Sequence, residues 1–383
     1  MDRSKLNELR ENIDKIDREL VDLFCRRMET ASQIAEYKRE SGMAVYDPIR
    51  EREKLAAVAG LAEDGMDNYV KQIYSLLFEV SRDYQSKLLG RSTELYNKIS
   101  EAVANTPNLF PTSPRVACQG TEGAYSMTAA EKLFKSPQIE YVKTFADVIR
   151  AVETGYVKYG VLPIENSTAG DVSAVLKLLE DHDVYIVRAA RCKIEHNCLV
   201  NPGTKLSDIK EVISHEQAIN QCSKFIESLG NVKVTYAANT ALAAKYVHDS
   251  GRGDIAAISS KHCANLYGLD AIKRDVQNTD NNYTRFVCIS KNIEIYPGSD
   301  KTTVMLITNN TPGSLYRVLS RFNALGINLT SIISRPIEGR DFEFRFFFDI
   351  EASIKDPAVR NLIGELKNDS DQLVFLGNYE EMK

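Results

Sequence analysis

Cations set into an apolar stripe are the first sign of chemistry in this chain. Leu6, Leu9, Ile13, Ile16, Leu20, Leu23, Ala31 and Ile34 recur at alternating three- and four-residue steps, the period of an amphipathic helix with one packed seam. Arg27 falls on that seam in register with Leu20 and Ile34, while Arg10 and Lys38 stand one position beyond the seam residues Leu9 and Tyr37. A guanidinium buried there needs a counter-anion. It pairs with an internal acid, escapes to solvent along its own stem, or binds a small molecule with several negative charges. At helical rise, Arg10 and Arg27 are about 25 Å apart on one helix and Arg27 and Lys38 about 16 Å. The second pair can converge on one ligand; the first cannot. The helix is also too long for a compact three-helix monomer, so an intertwined dimer is predicted, in which Arg10 of one chain reaches the site that holds Arg27 and Lys38 of the other. Ser81 and Gln85, four apart on a later helix, share a face and either help such a site or serve helix packing.

Other polar clusters stand where a strand hands over to a helix. Gln119-Gly120-Thr121-Glu122-Gly123-Ala124-Tyr125-Ser126 combines glycines that allow close approach with helix-start amides that favour an anion. The run Pro163-Ile164-Glu165-Asn166-Ser167-Thr168 ends a strand, as does Ser214-His215, and Asn282-Tyr283-Thr284-Arg285-Phe286 leads into one. Each alone fits caps and turns equally well. A hydroxyl such as Thr284 can hydrogen-bond a leaving oxygen, Arg285 can hold an anion or orient the threonine, and His215 can assist or be structural.

Three stretches of different periodicity must position these groups. The chain has 383 residues, 43% hydrophobic and 26% charged, suited to two or three folded domains. Residues 1–92 are helical throughout, with Asp47-Pro48 as a cap-and-start signal for a second helix reaching about Glu63 and a third marked by Tyr69, Ile73, Leu76, Val80 and Tyr84. Residues 93–113 thin into a polar helix or linker. Over 114–291 short apolar strands alternate with helices, which reads as α/β with a largely parallel sheet. Over 300–383 the order is βαββαβ, a ferredoxin-like α+β module, whose helix opens at Asn310-Thr311-Pro312-Gly313-Ser314-Leu315 and whose second strand ends at Ser334-Arg335-Pro336. Net charge is −5 with acids and bases interleaved, so neither nucleic acid nor an anionic membrane is an expected partner. Seven scattered cysteines without zinc spacing read as reduced, packed thiols; the N-terminus is no signal peptide, and a cytoplasmic protein is expected.

These residues carry family resemblances. Leu9-Arg10-Glu11-Asn12-Ile13-Asp14, Arg26-Arg27, Lys38, Asp47 with Arg50-Glu51, and Ser81 with Gln85 resemble the all-helical class of chorismate mutase. That resemblance implies an intertwined homodimer in which Arg10 and Arg27 bind the substrate carboxylates, Lys38 and Gln85 the ether oxygen, and Asp47, Arg50, Glu51 and Ser81 complete the pocket. Pro163-Ile164-Glu165-Asn166-Ser167, Ser214-His215, Asn239-Thr240-Ala241 and Thr284-Arg285-Phe286 resemble prephenate dehydratase, implying two lobes of the periplasmic-binding-protein type. Thr284 would be the main catalytic group, and Glu165, Asn166, Ser167, Ser214, His215, Thr240, Arg285 and Phe286 the substrate-binding residues. The last module resembles an ACT domain of the phenylalanine-responsive kind, with Pro312, Gly313, Ser314, Leu315, Ser334, Arg335 and Pro336 as effector residues; Ile333 and Ser314 stand where that family often has glutamate and alanine.

Together these resemblances imply a bifunctional enzyme of phenylalanine biosynthesis that takes chorismate through prephenate to phenylpyruvate, is inhibited by L-phenylalanine, and needs no metal or cofactor. The residues fit arogenate as a substrate as well as prephenate. A non-enzymatic amino-acid sensor is the rival from another class, and it has no use for both the cation set and Thr284-Arg285-Phe286.

Overall fold

The computed structural model describes residues 3–43, 45–88, 94–308, 311, 313–337, 339, 343–367 and 370–382. The chain forms two compact units, residues 1–93 and 94–383.

The first unit is all-α. Helix α1 (Arg3–Ser41) runs 39 residues, free of proline and glycine. Asp47 caps α2 (Pro48–Ala59), its carboxylate accepting from the Arg50 amide at 3.0 Å. The helix stops at Gly60, short of the expected Glu63. Helix α3 (Asp67–Leu88) packs against both. The interior is small, with Met28, Ala31, Ala35 and Val58 as its buried apolar residues. Most of the stripe remains bare: Leu6, Leu9, Ile13, Ile16, Leu20 and Leu23 of α1 and Tyr69, Ile73 and Leu76 of α3 are all about half exposed.

The second unit opens with α4 (Glu94–Asn105), in the stretch expected to be a polar helix or linker. Ile99 is fully buried against Val359, Leu362 and Ile363, so the helix belongs to the C-terminal module's core. Strands β1 (Arg115–Gln119), β2 (Gln138–Val142), β3 (Tyr159–Asn166), β4 (Gly170–Asp171) and β5 (Tyr185–Lys193) build one lobe together with helices α5 (Tyr125–Leu133), α6 (Phe145–Glu153) and α7 (Ser173–Asp181). The chain crosses to a second lobe made of β6 (Asn197–Val200), β7 (Glu211–Ser214), β8 (Lys233–Tyr236), β9 (Ile255–Ser259) and β10 (Asp270–Lys273). Its helices are α8 (Glu216–Gln221), α9 (Ser223–Ser228), α10 (Thr240–Ser250) and α11 (Lys261–Tyr267). The single helix expected over 217–229 is thus two, broken at Cys222. Strand β11 (Tyr283–Ser290) returns to the first lobe between β3 and β5.

The sheets are mixed, not largely parallel. β1 runs parallel to β2 and β3, but β11 is antiparallel to both neighbours, because it arrives from the second lobe and enters the sheet from the opposite end. Residues 194–196 and 276–282 carry the two crossings and bond to each other: the Ile194 amide donates to Asn282 O and the Val276 amide to His196 O, both at 2.8 Å.

The remaining elements are β12 (Lys301–Ile307), α12 (Ser314–Ala324), β13 (Asn328–Pro336), β14 (Phe344–Glu351), α13 (Pro357–Leu366) and β15 (Gln372–Met382), the βαββαβ order in an antiparallel sheet β13-β14-β12-β15. The apolar run of strand β15 stops at Leu376. Beyond it Gly377, with φ +150°, lets the backbone close on β5, and residues to Met382 pair in parallel with it. A Cβ at this position would lie 2.1 Å from the Ile186 carbonyl oxygen. The catalytic-lobe and C-terminal sheets are therefore one ten-stranded sheet. No helix among the described residues is long and apolar enough to cross a membrane.

Candidate active sites

In the helical unit Arg27 is half-buried rather than sealed. Its guanidinium donates to the Ser81 hydroxyl and, at 3.3 Å, to Leu77 O, and lies 5.9 Å from the Phe78 ring centroid. Ser81 and Gln85 are buried on α3, and Gln85 Oε1 has no partner among the described residues. A buried amide oxygen without a donor is costly unless something fills it. Lys38 reaches the Val45 carbonyl at 2.5 Å. Glu51 is held by Arg82, Asp47 caps α2, and Arg50 is exposed and 3.8 Å from Glu53. Arg10 is exposed on α1, some 25 Å of helix from Arg27. One chain thus gathers Arg27 with Ser81 but leaves Arg10 outside.

The second unit holds a crevice of about 650 Å³ between its lobes. Thr284 and Phe286 enter it from β11, Asn166 from the end of β3, and His215 and Thr240 from the opposite lobe. Helices α5, α7, α8 and α10 all begin at its wall, through Tyr125, Ser173, Gln217 and Thr240. Helix starts present unpaired amides and positive dipole ends. Among the described residues, the crevice lining includes no lysine or arginine.

Hydrogen bonds fix the polar floor. Asn166 Nδ2 donates to Thr284 Oγ1 and to Asn282 Oδ1, both at 2.9 Å, while its Oδ1 accepts from the Thr168 amide, the Thr168 hydroxyl and the Ala169 amide. The Asn166 amide is fully used, so its orientation is set. Thr284 accepts from it and keeps its own proton for the crevice. Asn282 Nδ2 and His196 Nε2 both meet Gln221 Oε1, at 3.1 and 3.0 Å, and Gln221 Nε2 donates to Thr168. His196 and Gln221 carry no motif and were not expected here; they arrive through tertiary contact at the crossings.

Burial is the main cause that lowers the His196 pKa below its ordinary 6.5, with the Gln221 bond acting against it. A histidine whose folded pKa is depressed gives up stability as pH falls from the unfolded value toward the folded one. The melting temperature should therefore drop below about pH 6.5, and His196→Gln should flatten that drop in thermal scans across the pH range.

Several expected contacts are absent from the crevice. Glu165 and Arg285 project to the opposite face of the sheet, as neighbours of Asn166 and Thr284 in strands of period two must; Arg285 Nε is 3.7 Å from Glu165 Oε2. Ser167 stitches the loop, donating to Asn281 O and accepting from the Tyr283 amide, both at 2.9 Å. Ser214 is fully buried in the second lobe and donates to Ile258 O at 2.5 Å. His215 caps α8, its Nδ1 accepting from the Gln217 amide at 3.3 Å.

Of the expected effector residues, Pro312 lies outside those described. Gly313, with φ +83°, caps α12, and the adjacent Ser314 bonds to Thr311 and Arg317. Leu315 packs onto the module's core. Ser334 and Pro336 are exposed on the edge strand β13. The Arg335 guanidinium pairs with Asp171 at the crevice wall, and its Nε has no partner among the described residues.

Comparison with known proteins divides the chain in the same way. Residues 9–86 match the family model described as chorismate mutase type II, 116–294 that described as prephenate dehydratase, and 302–368 that described as ACT domain. The chain is 32% identical over 382 residues to the bifunctional chorismate mutase/prephenate dehydratase of Escherichia coli K12, covering 97% of this chain and 95% of that protein. Two solved structures each cover 70% of this chain with a TM-score of 0.63. One is the prephenate dehydratase of Arthrobacter aurescens in complex with L-Phe (27% identity, 89% of that chain), and the other is GqqA, described as a novel type of quorum quenching acylase (33% identity, 98% of that chain).

Proposed function

As the chain belongs to the family of bifunctional chorismate mutase/prephenate dehydratases, we propose how its own residues serve the two reactions of phenylalanine biosynthesis. Rearranging chorismate to prephenate needs no nucleophile or proton shuttle. It needs a dianion held in its reactive conformer and donors at the breaking ether bond. Arg27 offers a fork for a carboxylate, and Lys38 with the amide nitrogen of the buried Gln85 offers donors to the ether oxygen. Asp47, Arg50, Glu51 and Ser81 frame the pocket. Arg10 completes the charge only from a second copy, and the half-exposed apolar stripe of α1 and α3 is the surface that copy would cover. The active form is a homodimer or a higher homo-oligomer.

Prephenate dehydration breaks the bond to the ring carboxylate. Its electron pair aromatises the ring while the ring hydroxyl leaves with a proton. The observation that carries the assignment is Asn166 donating to Thr284 Oγ1 at 2.9 Å, which aims the threonine's proton into the crevice. With no cation in the lining, the substrate's anionic ends fall to the helix starts of α5, α7 and α10. Phe145, Phe286 and Ile194 supply an apolar wall where charge leaving a carboxylate as CO2 is favoured. All seven cysteines are free, which suits the cytoplasm. L-Phenylalanine would act at the start of α12, where Gly313 admits a ligand close to the backbone.

One experiment tests the whole reading: chorismate is supplied, prephenate and phenylpyruvate are followed, and phenylalanine is then added. Sequential appearance of both products, the second suppressed by phenylalanine, is expected. Absence of either product would remove that reaction from the assignment, and indifference to phenylalanine would leave the C-terminal module with assembly alone.

A further inference from the structure

Strand β11 turns alternate side chains to opposite sides of the sheet. Thr284 and Phe286 face the crevice, and Arg285 between them passes to the other side, where it is 8% exposed. There its Nη2 donates to Asp349 Oδ2 at 2.6 Å and its Nη1 lies 3.8 Å from Glu381 Oε2. Both carboxylates belong to the C-terminal module, on β14 and β15. Asp349 Oδ1 is also held by the Thr303 hydroxyl at 2.6 Å, and Glu381 by Lys301 at 2.6 Å. The buried guanidinium is thus matched by buried acids that are themselves fixed, the arrangement under which a desolvated ion pair keeps a single geometry.

The backbone beside this cluster is a place that needs holding. The β3–β11 ladder shifts register between Arg285 and Phe286, with Ile164 of β3 as the extra residue. A bulged pair bends and twists more readily than an unbroken one, and this bulge sits one residue from both Thr284 and its partner Asn166. On its other side β11 keeps register with β5 from Tyr283 to Cys288, so the irregularity is confined to the β3 side, where the ion cluster behind Arg285 braces the strand.

We propose that Arg285 is a positioning residue for Thr284: by anchoring β11 to Asp349 and Glu381 of the C-terminal module, it sets the direction of the threonine hydroxyl, so that dehydration depends on contact with that module. The proposal rests on Thr284 being the reacting hydroxyl.

The test uses the full chain carrying Asp349→Asn, which keeps size and an acceptor oxygen but removes the charge, far from any substrate atom. Expected is a fall of about ten-fold in kcat for prephenate dehydration, with KM changed by less than about two-fold and the mutase rate unaltered. Asp349→Glu, which restores the charge, should recover most of the lost kcat. A packing role alone would lower the melting temperature and leave the kcat of the folded enzyme in place. Should Asp349→Asn not fold, Arg285→Lys decides, since it keeps the charge but not the fork. Unchanged kcat, or a loss confined to KM, overturns the proposal. Thr284→Ala is run beside them; full dehydratase activity in that variant would overturn the assignment of Thr284 itself, a failure distinct from that of the clamp.

Discussion

Thr284→Ala should reduce phenylpyruvate formation from supplied prephenate by about 10²- to 10⁴-fold while chorismate is still converted to prephenate at the normal rate. The loss is large because nothing stands in for the hydroxyl. Asn166 Nδ2 would be left with one free hydrogen aimed at the space the oxygen left, but an amide N–H is a weaker acid than a hydroxyl and gives up no proton to a leaving group. His215 spends Nδ1 on capping α8. Thr284→Ser, which keeps the oxygen, should retain much of the activity. Prephenate accumulating in step with the chorismate consumed, with phenylpyruvate absent, is the diagnostic pattern; phenylpyruvate at the wild-type rate would refute the assignment.

Arg27→Ala should give the mirror image, with mutase activity down by about 10²- to 10³-fold and dehydration of supplied prephenate intact. Arg27 is the one proposed carboxylate fork that a single chain already places beside Ser81 and Gln85. Arg27→Lys should rescue little, because an ammonium is a point charge without the paired donors that match a carboxylate. Circular dichroism separates this from unfolding, since Arg27 also ties α1 to α3 through Leu77 O and Ser81. Equal loss of both activities would point to assembly instead of chemistry.

What could be read from the sequence depended on what each side chain faces. The stripe of α1 was legible because its seam is apolar over many turns, and the cap at Asp47 because the residue and its proline announce it. The ends of β5 and β15 were not. Arg188 and Arg191 on one strand and Glu380 and Glu381 on the other interrupt any apolar alternation, yet they are strand residues that pair with each other, Arg188 to Glu380 at 2.7 Å and Arg191 to Glu381. Charges that satisfy one another across a ladder look like loop in a single sequence. Helix α4 could be read as a polar helix or a linker for a related reason: its contribution to the core centres on Ile99, within a polar stretch.

The crevice was half legible. Motifs pointed to Thr284, Asn166 and Phe286, which the fold does bring together. The alternation that puts them there also excludes Glu165 and Arg285, so treating each motif as a block misplaced alternate members. His196 and Gln221 could not have been found, because their place depends on two crossings that only the folded lobes bring side by side.

The parallel pairing of β15 with β5 bears on how the protein is made. Synthesis proceeds from the N-terminus and domains tend to fold as they emerge, but here the strand that covers β5 emerges long after it. Until residues 377–382 are released, β5 shows a bare edge of backbone donors and acceptors, the kind of surface on which other chains pair. A nascent chain would have to shield that edge for the time needed to synthesise nearly half its length, from Lys193 to Met382. Loss of β15 by premature termination would then harm more than regulation, because it would leave the catalytic lobe open to aggregation.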